Sequence, residues 1–126
     1  MTSDTLPEGL RILLVEDEAI IAMTAEDMLE ELGCVVTQQA STLEEAMEAA
    51  ETGNFDVALL DINLNGTMSM PVAHALKSRQ MPFVFTTGYG NAGSEGEFGD
   101  VVVVAKPYTL ATLSAAISEC LTQASG

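Results

Sequence analysis

Five short apolar runs punctuate this chain, at residues 11–15, 34–37, 56–61, 82–86 and 100–105. Each is too short for a helix core and is apolar at consecutive rather than alternate positions. A segment of that kind suits a strand covered on both faces. The stretches between the runs are patterned for helices, except one that is rich in glycine. Strands that alternate with helices in this way build a parallel sheet with right-handed crossovers and helices on both faces. In such open sheets, chemistry gathers at the carboxyl ends of the strands.

The helix patterns are specific. Ile21, Ala25, Met28 and Leu32 fall on one face, and Gly33 stands where a helix would stop. Ser41 and Glu44 have the spacing of a capping box, in which each side chain satisfies an orphan amide. The helix they open turns Leu43, Met47 and Ala50 inward and stops at Gly53. A loop containing Asn65 and Gly66 leads into a helix through Val72, Ala73 and Leu76. Residues 89–99 are rich in glycine and polar side chains, which argues against a regular helix. Thr109 can cap a last helix with Leu110, Leu113, Ile117 and Leu121 inward.

A chain of 126 residues that is 48% hydrophobic suits one packed domain, with residues 1–9 as a loose lead-in, 10–122 as the domain and 123–126 as a tail. Four basic against 19 acidic residues give a net charge of -15, which repels nucleic acid and anionic lipid. No stretch is long and apolar enough to span a membrane, and the polar start lacks the pattern of a signal peptide, so the expected location is cytoplasmic. Cys34 and Cys120 sit in apolar surroundings without metal-ligand spacing and read as buried free thiols.

Three carboxylates stand at strand carboxyl ends: Glu16 and Asp17 after the first run and Asp61 at the end of the third. If the two strands are neighbours, the acids converge and demand a hard cation, for which Mg²⁺ is suited. Glu16, Asp17 and Glu18 taken alone also read as an acidic helix start that favours the helix dipole. Two further residue types end other strands. Thr86 and Thr87 finish the fourth, and Lys106 follows the fifth, just before Pro107. A hydroxyl and an ammonium beside three acids is a selective combination for a phosphoryl group.

Residues 13–18, 59–63, 86–88 and 106–107 together, in this order and spacing, resemble the response regulator receiver family. The resemblance covers roughly residues 10–122. It implies a flavodoxin-like five-stranded sheet of order 2-1-3-4-5, in which the glycine-rich segment 89–99 leaves the fourth helix short or irregular. It implies Asp61 as phosphoacceptor, with Mg²⁺ held by Glu16, Asp17, Asp61 and the backbone carbonyl of Asn63. Thr87 is implied as the switch hydroxyl and Lys106 as the partner of Asp61 and then of the phosphate. The expected donor is a histidine kinase or a histidine phosphotransfer protein. On this reading the protein is the substrate of signalling, not an enzyme, and its output is a change in protein binding or a role as phosphate sink or shuttle.

Residues 83–90 resemble a subgroup of single-domain receivers with a Phe-x-Thr-Gly-Tyr-type motif, which implies HWE-type kinases and stress signalling. The chain departs from the wider family in three places: residues 101–104 are all valine, without the aromatic residue common in the fifth strand; Asn65 stands where the loop after the acceptor usually has proline; and the region after Thr87 is short and glycine-rich where most receivers have a full fourth helix. Within the subgroup, Thr86 replaces the usual alanine. Tyr89 flanks the phosphoryl site in this alignment, and either gates it or packs on its own loop.

Other readings fare worse. An aspartate-nucleophile phosphatase needs an acid two residues after Asp61, where Asn63 stands. Residues 88–93 follow the fourth strand and lack the glycine spacing of a nucleotide loop. A degenerate receiver that binds partners without phosphorylation is countered by the intact set of site residues. His74, the one histidine, reads as a surface or helix-packing residue rather than a phosphorylated one, and the seven methionines as core filler.

Overall fold

The apolar runs feed two separate cores, one on each face of a single sheet. In the computed structural model, which describes residues 6–88 and 100–125, the elements are β1 (Arg11–Val15), α1 (Ala19–Glu31), β2 (Val35–Ala40), α2 (Leu43–Thr52), β3 (Val57–Asp61), β4 (Asn63–Leu64), β5 (Thr67–Met68), α3 (Met70–Ser78), β6 (Phe83–Thr87), β7 (Val103–Ala105) and α4 (Leu110–Ser125). Ile12, Leu14, Leu59 and Val84 pack with Ala25 and Leu29 of α1 and with Leu113 and Ile117 of α4. Leu13, Val15, Leu60 and Phe85 point the other way, against Ala46 and Ala50 of α2 and Val72 and Leu76 of α3. The two-residue period of a strand sorts neighbours such as Leu13 and Leu14 into opposite cores.

The sheet order is β2-β1-β3-β6-β7, and every neighbouring pair is parallel. Because β4 and β5 form a separate two-stranded ribbon, β6 and β7 are the fourth and fifth strands of the main sheet. The expected order 2-1-3-4-5 is therefore the observed one.

Several local expectations are corrected. The second strand runs Val35–Ala40 rather than 34–37. It is an edge strand paired with β1 as far as Val15 and Ala40, so backbone bonds carry it through polar residues that apolar patterning overlooks. The fifth strand shortens to Val103–Ala105, because pairing with β6 begins at Phe85 and Val103. The cap of α2 lies one residue later than the pattern suggests. Thr42 accepts from the Glu45 amide at 3.1 Å, while Glu45 accepts from the Ser41 amide at 2.9 Å. The Ser41 amide and hydroxyl, both donating to it, hold the Glu45 carboxyl below its usual range.

The loop after β3 is a hairpin, not an irregular connection. Asn65 and Gly66 adopt φ of 53° and 90°, the left-handed pair that a two-residue type I′ turn requires. Asn63 and Met68 face each other across the ribbon. Cys34 and Cys120 are buried free thiols, as expected, and burial pushes the Cys120 thiol up to about 11. Thr109 caps α4, its hydroxyl accepting from the Thr112 amide at 3.1 Å. The expected irregular segment 89–99, Tyr89 included, lies outside the described residues.

Gly53, which closes α2, is held against its neighbours on every side. A methyl there would run into the Ala49 carbonyl, the Phe55 ring and the Gln38 side chain. Two of these obstacles are backbone or packed ring, so the clash cannot be relieved cheaply. Gly53→Ala is expected to lower stability by roughly 1–3 kcal/mol. Urea denaturation would show it as a lower midpoint with an unchanged slope.

Candidate functional site

From β1 the chain crosses outward to β2 and then back past β1 to β3, so the sense of the strand order reverses between β1 and β3 while the strands stay parallel. A crevice opens outside the carboxyl ends of strands at such a point. The register levels those ends: Val15 lies beside Leu60, Asp61 beside Thr86 and Thr87 beside Ala105. The residues just past them, Glu16, Asp17 and Lys106, are thereby delivered to one place. A cleft of about 770 Å³ opens there, lined among others by Asp17, Asp61, Asn63, Thr87, Lys106 and Tyr108.

The charges in it are tightly organised. Lys106 Nζ donates to Asp61 Oδ2 at 3.0 Å and to Glu16 Oε1 at 3.1 Å. The other oxygen of each acid takes a backbone amide: Asn63 donates to Asp61 Oδ1 at 3.2 Å and Glu18 to Glu16 Oε2 at 3.1 Å. Glu16 and Asp61 are only 4% and 3% exposed, which makes their ionisation costly. One carboxylate oxygen from each of Glu16, Asp17 and Asp61 lies within 4.8 Å of the others.

Burial is the largest influence on both buried acids. It raises Glu16 to about 7, and the Asp61 charge adds to that, against the bonds from Glu18 and Lys106. Asp61 is also raised by burial, with Lys106 opposing. Burial works against the Lys106 charge too, but the bonds to Asp61 and Glu16 outweigh it and hold the ammonium above its ordinary range. Glu16 and Asp61 thus share one lysine with Asp17 close by, and the site carries more negative charge than that lysine can neutralise.

Every predicted site residue is brought here. Of the two threonines, both buried, Thr87 lines the cleft and Thr86 does not. Two residues were not foreseen. Ser69 is fully buried, and its hydroxyl donates to the Asp61 carbonyl at 2.6 Å. A serine before a helix suggests only a cap, yet this side chain makes no cap bond to α3. Tyr108 is buried at the cleft, and burial together with the Glu16 charge pushes its phenol up to about 12. Tyr108 lies beyond the end of β7, outside the strand in which receivers commonly carry an aromatic residue. His74 is exposed on α3.

The family profile of the response regulator receiver domain matches residues 12–118. The chain belongs to that family, the receiver domains of two-component signalling. It is 36% identical over 114 residues to the phyllosphere-induced regulator PhyR of Methylorubrum extorquens, a match covering 87% of this chain and 43% of PhyR. The chain thus spans less than half the length of that curated relative. The solution structure of SdrG from Sphingomonas melonis Fr1 is 39% identical with a TM-score of 0.81, and the match covers 92% of this chain and 99% of SdrG. A BeF3-activated conformation of SdrG, from Pseudomonas melonis Fr1, is 38% identical with a TM-score of 0.75, covering 92% and 98%. Among the described residues no helix is long and apolar enough to cross a membrane.

The raised Glu16 carboxyl has a consequence for metal-free protein. Its folded value of about 7 lies above the 4.5 of the free side chain. Between those values the folded state holds a proton that the unfolded chain releases. The associated stability is full below pH 4.5 and is lost as pH rises through 7. In EDTA, the loss across that window is expected to be on the order of 1–3 kcal/mol. Glu16→Gln should remove most of that slope in a denaturation series. A stability that rises across the window in both proteins, with the same slope, would contradict the assignment.

Proposed function

We propose that Asp61 accepts a phosphoryl group from the phosphohistidine of a partner kinase, with Mg²⁺ bound beside it. The observation that carries this reading is the ion pair of Lys106 with Asp61 at the floor of an acidic cleft. A lone buried carboxylate paired to a lysine would read as structural. One that is crowded by two further acids, and open to a cleft, is built to receive more positive charge than the lysine brings.

The donor set fits a hard divalent cation. All the candidate ligands are oxygens: Glu16, Asp17, Asp61 and the backbone carbonyl of Asn63. Mg²⁺ when bound would offset the charge of the acids and of the incoming phosphoryl oxygens. The chain's own residues do the rest. Asp61 Oδ2 or Oδ1 supplies the nucleophile, held in place by Lys106 and the Asn63 amide. Lys106 neutralises the acid before transfer and a phosphoryl oxygen after it. Thr87, at the end of β6 and on the cleft, donates its hydroxyl to another phosphoryl oxygen. Phosphoryl transfer needs positioning and charge neutralisation more than acid–base work.

The histidine kinase is of the HWE type on this reading, or a histidine phosphotransfer protein stands between, and the setting is a cytoplasmic stress response. The subgroup motif and the likeness to PhyR and SdrG support it. The existence of a BeF3-activated conformation of SdrG is consistent with this reading. The protein is the substrate of the transfer and turns over no external product. The receiver is placed at residues 10–122, and its output is a phosphorylation-dependent change in protein binding or service as a phosphate sink or shuttle. A degenerate receiver is disfavoured by the complete acid–lysine–threonine set.

Intact mass tests the chemistry. Incubation with an autophosphorylated HWE-type kinase, or with acetyl phosphate, and Mg²⁺ is expected to add one phosphoryl group. Asp61→Ala and EDTA should each abolish the gain. Lys106→Ala should keep Mg²⁺ binding by calorimetry but lose signalling. Loss of Mg²⁺ binding in a folded Lys106→Ala protein would show that its role is misassigned.

A further inference from the structure

We propose that Ser69 is a positioning residue for phosphoryl transfer, acting through the two peptide groups that join Asp61 to Asn63. The proposal rests on Asp61 as acceptor and adds to it the device that aims the acceptor.

Those two peptides hang past the end of a hydrogen-bond ladder. β1 pairs with β3 only as far as Val15 and Leu60, so the Asp61 carbonyl has no strand donor beside it on that side. On the other side the Ile62 amide donates to the Thr86 carbonyl at 3.1 Å. The Ser69 hydroxyl supplies what β1 does not, donating to the Asp61 carbonyl at 2.6 Å. The Ser69 amide then donates to the Ile62 carbonyl at 2.8 Å. One fully buried residue therefore holds both carbonyls between acceptor and Asn63.

The hold reaches the reacting carboxylate. The Asn63 amide, carried by the second of those peptides, donates to Asp61 Oδ1. Lys106 takes Oδ2. The rotamer of Asp61 is thus set by one bond from the far end of the sheet and one from a peptide that Ser69 fixes. Ser69 can do this because β4 and β5 fold back as a tight hairpin. Asn63 Oδ1 accepts the Gly66 amide at 2.7 Å, which closes the turn and returns the chain to within reach of Asp61. The hydroxyl is turned away from the helix it precedes, since it makes no cap bond there. A side chain that gives up the ordinary cap role for a contact eight residues back points to the acceptor, not to α3.

Ser69→Ala removes the hydroxyl and leaves the backbone bond. The decisive readout is the rate of phosphorylation by acetyl phosphate at saturating Mg²⁺, beside thermal unfolding and Mg²⁺ affinity by calorimetry. The expected result is a rate at least tenfold lower, read well below the melting temperature, with Ser69→Thr or Ser69→Cys recovering part of it. A merely structural serine would lower the melting temperature and leave that rate within twofold of the parent, which would overturn the proposal. Should Ser69→Ala fail to fold, Ser69→Cys is judged by the same rate, since its thiol is a weaker donor of similar size. If the unaltered protein takes up no phosphoryl group, the reading of Asp61 fails. In that case an unchanged Asn63 amide resonance in Ser69→Ala or Ser69→Cys would separately sink the positioning role, and a displaced one would uphold it.

Discussion

The Lys106 ammonium, shared between Glu16 and Asp61, is the interaction on which the organisation of the cleft depends. It joins the end of the fifth sheet strand to the ends of the first and third, across residues far apart in the chain. Breaking a buried pair by removing one partner leaves an uncompensated charge, which is costly. Here the cost has an outlet, because Glu16 already sits near neutrality in pKa and can take up a proton.

The fold exists to bring those groups together cheaply. Two apolar cores clamp the sheet, so the strand ends are held by packing rather than by the polar site itself. Two of the three other basic side chains are engaged elsewhere. Arg11 pairs with Asp56 at the opposite end of β1, and Arg79 donates to the Ala50 and Gly53 carbonyls where α2 ends. With so few basic residues in a chain of net charge -15, Lys106 stands out as the cation at the cleft. The surplus of acid leaves the cleft with more negative charge than Lys106 can offset.

Much of this was legible before any coordinates. The buried strands announced themselves because both faces of each are covered, which leaves no polar position to blur the run. The acids, threonine and lysine were legible because they end those strands. What escaped was held by backbone rather than by side-chain pattern. The polar half of β2, through Thr37 and Gln39, is a strand only because β1 lies beside it. Asn65 and Gly66 carried the hairpin signal, but strands of two residues have no periodicity to read. Ser69 looked like a generic helix start, and nothing in its neighbours reports that its hydroxyl reaches back to Asp61. Tyr108 lay just beyond the strand where an aromatic residue was sought.

The most direct test of the central claim is an amide NMR titration with Mg²⁺, then with beryllofluoride added. The account predicts that beryllofluoride shifts resonances at residues 61–63, 87 and 106 only when Mg²⁺ is present, and that Asp61→Ala abolishes those shifts. Shifts of the same residues in EDTA, or none at saturating Mg²⁺ in the unaltered protein, would contradict it.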